Sequence, residues 1–344
     1  MLERSDRQVK GRSQRRISPL FMTAVALFLL LVIGFATVVS LLSRATDTLM
    51  RREAKALNIL AENLVPSHDN LRFSSLDKNA TLAGWFFRAR GAVRGNIIIV
   101  HDNLNNRLQF DLETADLYKF LTQSGFIVLA FDLRHSGQST GEISAYGYLE
   151  YLDVLAAIRE LERLSSSDRH VILAFGSGCA ASLLAWQQLP EQAVPEHERE
   201  ALVKDLNSSQ ENIRGMIFDT ITASPDDYIR ADLSQIGWLN KWLYYPWIPT
   251  TVRLSAGHER LNLSPLLAQV RAPVMITRNL PDSSHDEREI EAVISERLRL
   301  KSELTVVWET PVAGSVSGFL DDRENYKEQL TRFFDRWLPA TNQD

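Results

Sequence analysis

The sequence predicts an α/β fold: a mostly parallel central sheet with helices on both faces, preceded by one membrane-spanning helix. Three observations predict it. Short apolar runs without polar alternation, such as residues 97–100 and 126–131, recur along the body, as strands buried on both faces require. Segments of helical spacing separate these runs, and strand–helix alternation implies parallel strands. Ahead of them stand 27 residues without a charge, 17–43.

The composition fits that plan. A length of 344 residues accommodates a span and one large domain. Hydrophobic residues make up 45% and charged residues 24%, near the globular average. The single cysteine, Cys179, excludes an intrachain disulfide, a Cys-rich zinc module and a CxxC redox pair. A net charge of −5 argues against a nucleic-acid partner.

The elements follow in order. Residues 1–18 form a basic tail. The apolar run behind it, about 19–43, is long enough to cross a bilayer as a helix, which takes about 20 residues. A cleaved signal peptide has a shorter apolar core and a small-residue cleavage site, and no clear site follows here. The span therefore reads as a single-pass anchor. Arg4, Arg7, Lys10, Arg12, Arg15 and Arg16 precede it, while Arg44, Arg51, Arg52 and Lys55 follow. The positive-inside rule favours a cytoplasmic N-terminus, with the body in the periplasm or outside.

Residues 44–68 link the span to the body. Leu49, Ala56, Leu57, Leu60 and Leu64 have helical spacing, so a juxtamembrane helix over 45–64 is expected. The domain proper is 69–340. A strand pair is expected near 71–75 and 81–89, then a strand at 97–100, a helix at 112–123 and a strand at 126–131. A helix at 148–164, a strand at 171–175 and a helix at 178–189 come next. Residues 191–210 are a polar surface excursion. Strands at 213–218, 273–277 and 304–308 complete the sheet, the last two followed by helices at about 286–299 and 324–338.

Four segments carry a family resemblance. They are His101-Asp102-Asn103; Asp132-Leu133-Arg134-His135-Ser136-Gly137-Gln138-Ser139; Ala145-Tyr146-Gly147-Tyr148-Leu149-Glu150 with Asp153; and Ser264-Pro265-Leu266 leading to Ala272-Pro273-Val274. In this order they resemble the α/β-hydrolase superfamily, in particular membrane-anchored bacterial members related to serine aminopeptidases and prolyl oligopeptidases. The resemblance covers roughly residues 70–340. It implies a serine nucleophile on a Gly-x-Ser-x-Gly turn, an oxyanion amide from the loop at 101–103, a triad acid after the 273–277 strand and a histidine after the last strand. It also implies a cap, at about 225–262.

The chain departs from that pattern twice. The strand-to-helix turn needs small residues two before and two after the nucleophile. In one register Ala174 and Gly178 are those flanks, and Gly176 stands where the nucleophile belongs. In the other Ser177 is the nucleophile, flanked by Phe175 and Cys179. A phenylalanine would crowd the turn, so the first register is preferred, with the Ser177 amide lining the oxyanion hole. The second departure concerns the base that serine attack requires. The loop at 310–319 has no histidine, and the expected place falls on Ser315. The last of the seven histidines is His285.

Asp282 lies where the triad acid is expected, but without an imidazole to orient it also reads as a solvated loop carboxylate. His285, three residues on, could pair with it; at a helix start it reads as a surface histidine beside a capping carboxylate. His101 has a structural counterpart in the family. Asp102 replaces a glycine, and a carboxylate there would repel a developing oxyanion. His135 also replaces a glycine. His68, His170, His197 and His258 have no partner at useful spacing. No metal-binding pattern such as HExxH appears, and no cofactor is implied.

Tyr228, Trp238, Trp242, Tyr244, Tyr245 and Trp247 crowd the cap. They could line an apolar pocket, with Trp238 and Trp242 in it, sit in the headgroup layer, or pack the cap against the sheet. The expected function is a membrane-anchored, catalytically impaired or inactive hydrolase-fold protein that binds a small apolar ligand, a lipid or a protein partner. The alternative is an active serine hydrolase using Ser177 on an ester, thioester, amide or short peptide. A third reading is a fold that serves only as a scaffold.

Overall fold

A computed structural model describes residues 18–234, 245–282, 284–311 and 314–340. The chain forms two compact units, one ending at Arg44 and one beginning at Ala45. The first holds most of helix α1 (Pro19–Met50), whose last turns belong to the second. Proline at the first helical position suits a start, because its missing N–H would have no partner there. The hydroxyls of Thr23 and Thr37 turn back onto Pro19 O and Ile33 O, so neither needs water. The mean hydropathy of α1 reaches 2.9, long and apolar enough to cross a membrane.

The second unit holds an eight-stranded sheet. The strands are β1 (Asp69–Ser74), β2 (Thr81–Phe87), β3 (Gly95–Val100), β4 (Phe126–Phe131), β5 (His170–Phe175), β6 (Ile213–Asp219), β7 (Val274–Asn279) and β8 (Thr305–Thr310). Their order is β1-β2-β4-β3-β5-β6-β7-β8. β2 is antiparallel to both neighbours, and the six strands from β4 to β8 are mutually parallel.

Every residue of β3 and β5 is buried. Side chains alternate across a strand, so each face of these apolar strands needs its own helical cover. Ile97, Ile99, Val171 and Leu173 join α2 (Thr114–Gln123) and the last helix, α10 (Arg323–Trp337), in one core. The opposite face is covered by α3 (Tyr151–Leu164) and α4 (Ser177–Gln188). The remaining α-helices among the described residues are α5 (Pro225–Ser234), α6 (Ile248–Ser255), α7 (Leu263–Gln269), α8 (Glu287–Lys301) and the short α9 (Gly318–Asp321).

The expected juxtamembrane helix does not run to residue 64. α1 stops at Met50, and residues 52–58 form an irregular strap over the loops of the domain. Backbone groups of the helix end and the strap bond outward: Ser144 N–H donates to Met50 O at 2.9 Å, Lys55 N–H to Leu104 O at 2.8 Å, and Asn106 Nδ2 to Lys55 O at 2.9 Å. Those tertiary bonds replace the helical ladder. Leu57 packs against the core and Ala61 is fully buried within it, so the apolar spacing reflects packing rather than a helix.

The Asp132–Ser139 turn is a brace. Asp132 accepts the Arg107 and Gln138 amides at 2.8 and 2.7 Å. Its carboxyl fills the space a Cβ on Gly137 would need, and Gly137 has φ 51°. Arg134 meets Asp153 through Nε and Nη2 and Asp77 through Nη1 at 3.0 Å.

Candidate active-site pocket

β5 enters α4 through Gly176, at φ 50° and ψ −126°. This left-handed region favours glycine. The Gly176 amide donates to Asp219 O at 2.9 Å. Two residues on, Gly178 sits against β3, and a Cβ there would lie 2.6 Å from His101 O and 2.8 Å from Val100 O. Phe175 is fully buried and meets Phe110 edge-on, with ring centroids 5.2 Å apart. The apex of the turn is Gly176, and Ser177 is the first residue of α4.

A side chain at 176 would run into the Asp102 carboxyl group. Asp102 Oδ1 accepts the Ser177 amide at 2.8 Å and the Asn103 amide at 2.7 Å. The Asn103 amide also donates to Ser177 Oγ at 2.9 Å. Burial pushes the Asp102 carboxyl above the usual carboxylate range, against the pull of those two amides. His101 sets the loop: its Nε2 accepts the Leu133 amide at 2.9 Å, so Nδ1–H donates to Asp102 O at 2.7 Å. Burial pushes the His101 pKa down, in keeping with that neutral, bridging ring.

A cavity of about 160 Å³ opens beside Asp102 and is lined by Asn103, Tyr146, Tyr228, Asp232, Ser284, His285 and Ser315. It lies beyond the carboxyl ends of the parallel strands, where ligands bind in such sheets. His285 Nδ1 is 3.1 Å from Asp282 Oδ2, and the two side chains are 6% and 2% exposed. Asp282 Oδ1 also accepts the Ser284 and His285 amides. Burial works to raise the Asp282 pKa, but the bond and charge of His285 outweigh it and hold the group below its ordinary range. The Tyr228 ring meets His285 edge-on at 5.4 Å. Asp232 accepts Tyr146 OH at 2.6 Å and Arg52 Nη2 at 2.5 Å. A larger groove, about 390 Å³, lies among Trp186, Arg214 and Arg271 at the opposite ends of β6 and β7 and holds none of these groups.

The residues singled out from sequence converge in part. Asp102, His285 and Ser315 line one cavity, with Asp282 behind His285 and Ser177 beneath Asp102. Trp238 and Trp242 lie outside the described residues. Asp282 and His285 differ from their reading as a surface pair beside a capping carboxylate: their side chains are almost fully buried, and the cap of α8 is Asp286, which takes the Arg288 amide at 3.0 Å. The spacing of three was the signal for the pair. Asp232 had no sequence signal, since its role comes from the strap residue Arg52.

Several solved structures share the fold. An esterase from Pyrococcus furiosus superposes with a TM-score of 0.63 at 18% identity, over 83% of this chain and 98% of that one. An acylaminoacyl peptidase from Pyrococcus horikoshii gives 0.55 at 16% identity, over 81% of this chain and 42% of the peptidase. An α/β hydrolase from a Penicillium species gives 0.53 at 15% identity, over 79% and 99%. The chain thus has the α/β-hydrolase fold. No family profile and no curated protein matches its sequence.

Proposed function

We propose that this chain is a membrane-anchored protein of α/β-hydrolase fold that has lost serine-hydrolase chemistry and binds a small polar ligand beside Asp102. One observation carries the reading: the Asp102 carboxylate sits on the Ser177 amide, in the space a side chain at 176 would occupy. Serine hydrolysis needs a nucleophile next to a base, and free donors aimed at the developing oxyanion. Here the apex is a glycine, and the donors already hold a carboxylate. Ser177 is buried, and its hydroxyl accepts the Asn103 amide.

The lining favours a polar ligand over an apolar one. Asp102 lines the cavity together with Tyr146 and Tyr228, whose hydroxyls are bonded to Asp232 and Thr220 O. A cavity lined by the carboxyl groups of Asp102 and Asp232 and by two tyrosines suits a small protonated amine. The charge bias across α1 puts the N-terminus in the cytoplasm and the domain in the periplasm or outside.

The buried Asp282–His285 pair favours a second reading, a working hydrolase that uses Ser177. Labelling the full chain in detergent with a fluorophosphonate separates the two. No labelling is expected; labelling abolished by Ser177→Ala would overturn the proposal. Titration with small primary amines, followed by ligand-observed NMR, should show saturable binding that Asp102→Asn weakens at least tenfold.

A further inference from the structure

We propose that cap helix α6 rests on the lipid surface of the bilayer that holds α1, through Trp247 and Leu254. The inference rests on the anchoring reading above. α6 buries Ile248, Pro249 and Val252 against the domain. It leaves Trp247 58% and Leu254 67% exposed. Residues seven apart lie on one helix face, about two turns from each other. Thr251 lies between them on that face, and its Oγ1 is 2.5 Å from Thr46 Oγ1.

That bond identifies the occupant. Thr46 follows the uncharged run, which ends at Ser43, by three residues. Three residues of chain reach at most about 11 Å. The surface from which the anchor emerges is therefore within reach of the Trp247–Leu254 face. The tether is fixed at that spot: Thr46 and Met50 are buried, and Met50 O accepts the Ser144 amide. Tryptophan favours the headgroup layer, and a helix with one apolar face lies well in it. Two side chains make a small contact, so it orients rather than anchors. It turns a defined side of the cap to the lipid, with Arg52 tying the strap to Asp232 at the cavity.

The test uses the full chain in phosphatidylcholine nanodiscs. Leu254→Cys takes a spin label selectively, because native Cys179 is buried; Glu198→Cys, in the polar excursion, is the aqueous reference. The label at 254 should collide several-fold less with a polar nickel chelate than the label at 198, and more with oxygen. Adding Trp247→Ser should raise nickel access at 254 without lowering nanodisc incorporation. Equal nickel access at both sites, in chain that co-purifies with nanodiscs, overturns the proposal and leaves anchoring intact. A label shielded from nickel and oxygen alike indicates a protein contact and also overturns it. Failure to enter nanodiscs removes the anchoring reading, and this one with it. If Leu254→Cys fails to fold, tryptophan quenching by brominated lipid gives the same readout: Trp247→Phe should lose part of it, and an unchanged signal counts against the proposal.

Discussion

The Asp102 carboxyl group and a side chain at Gly176 cannot occupy the pocket together. Asp102 reaches into the turn from the loop after β3 and takes the Ser177 amide as its own hydrogen-bond donor. The Asp102 carboxyl therefore fills the space beside Gly176 and occupies the Ser177 amide at once.

Gly176→Ser alone should destabilise the protein by about 1–3 kcal/mol, the usual cost of overpacking. Asp102→Gly in the same chain should recover most of that loss, because the two groups compete for one volume. Residues in contact couple by about 0.5–3 kcal/mol, and thermal unfolding of the four chains in one detergent measures it. Purely additive effects would show that the two side chains do not compete.

A larger change should restore reactivity. Asp102→Gly frees the Ser177 amide, Gly176→Ser puts a hydroxyl at the apex, and Ser315→His places an imidazole in the same cavity. The triple variant should react with a fluorophosphonate while the parent does not. If the variant melts like Asp102→Gly but stays unlabelled, residue 315 is the wrong place for the base.

The fold was legible because its signals are local. Apolar runs such as 97–100 and 126–131 need no partner to be read as strands, and β3 and β4 fall there. Gly176, singled out by its small flanks, lies at the strand-to-helix turn, and Ser315 lines the cavity beside Asp102. The strap could not: Leu57 and Leu60 mimic a helix face, but Met50 O and both backbone groups of Lys55 bond to loops about fifty to ninety residues away. The burial of His285 was hidden for a similar reason. Its spacing to Asp282 was visible, yet the ring packed against it, Tyr228, comes from α5, far away in sequence.

Arg134 should be critical to stability rather than to binding. Its guanidinium is 5% exposed and is shared between Asp153, which is fully buried, and Asp77. Burial pushes the Asp153 carboxyl up to about 6, despite the bonds from Arg134. Removing one partner of a buried pair strands the other and costs about 3–5 kcal/mol. Arg134→Met should cost that much in chemical unfolding while leaving amine affinity per folded molecule unchanged. A selective loss of affinity would place Arg134 in the site instead.

His170 makes a pH prediction with a definite sign. Its Nδ1 is 3.2 Å from Asn96 Nδ2, an amide oriented by bonds to Ser165 Oγ and Ser167 O. Nδ1 therefore accepts, and Nε2–H donates to Ser208 Oγ at 3.2 Å. This neutral ring cannot act as a base toward Ser208, and burial pushes its pKa down to about 4. The unfolded histidine titrates near 6.5, so below that pH the unfolded state binds the proton first. The stability tied to neutral His170 is complete above about pH 6.5 and is lost as pH falls toward 4, amounting to roughly 3 kcal/mol. Asp219 acts in the opposite sense, since burial pushes its carboxyl up to about 7; folding then favours its protonated form, and stability drops as pH rises from about 4 to 7. The two slopes oppose each other in the native chain, so its total stability hides both. Comparing the native chain with His170→Gln isolates the histidine: the stability difference should be flat above pH 7 and move against the native chain by that amount between pH 6.5 and 4. A difference that stays constant across this window would mean that His170 is protonated in the folded protein.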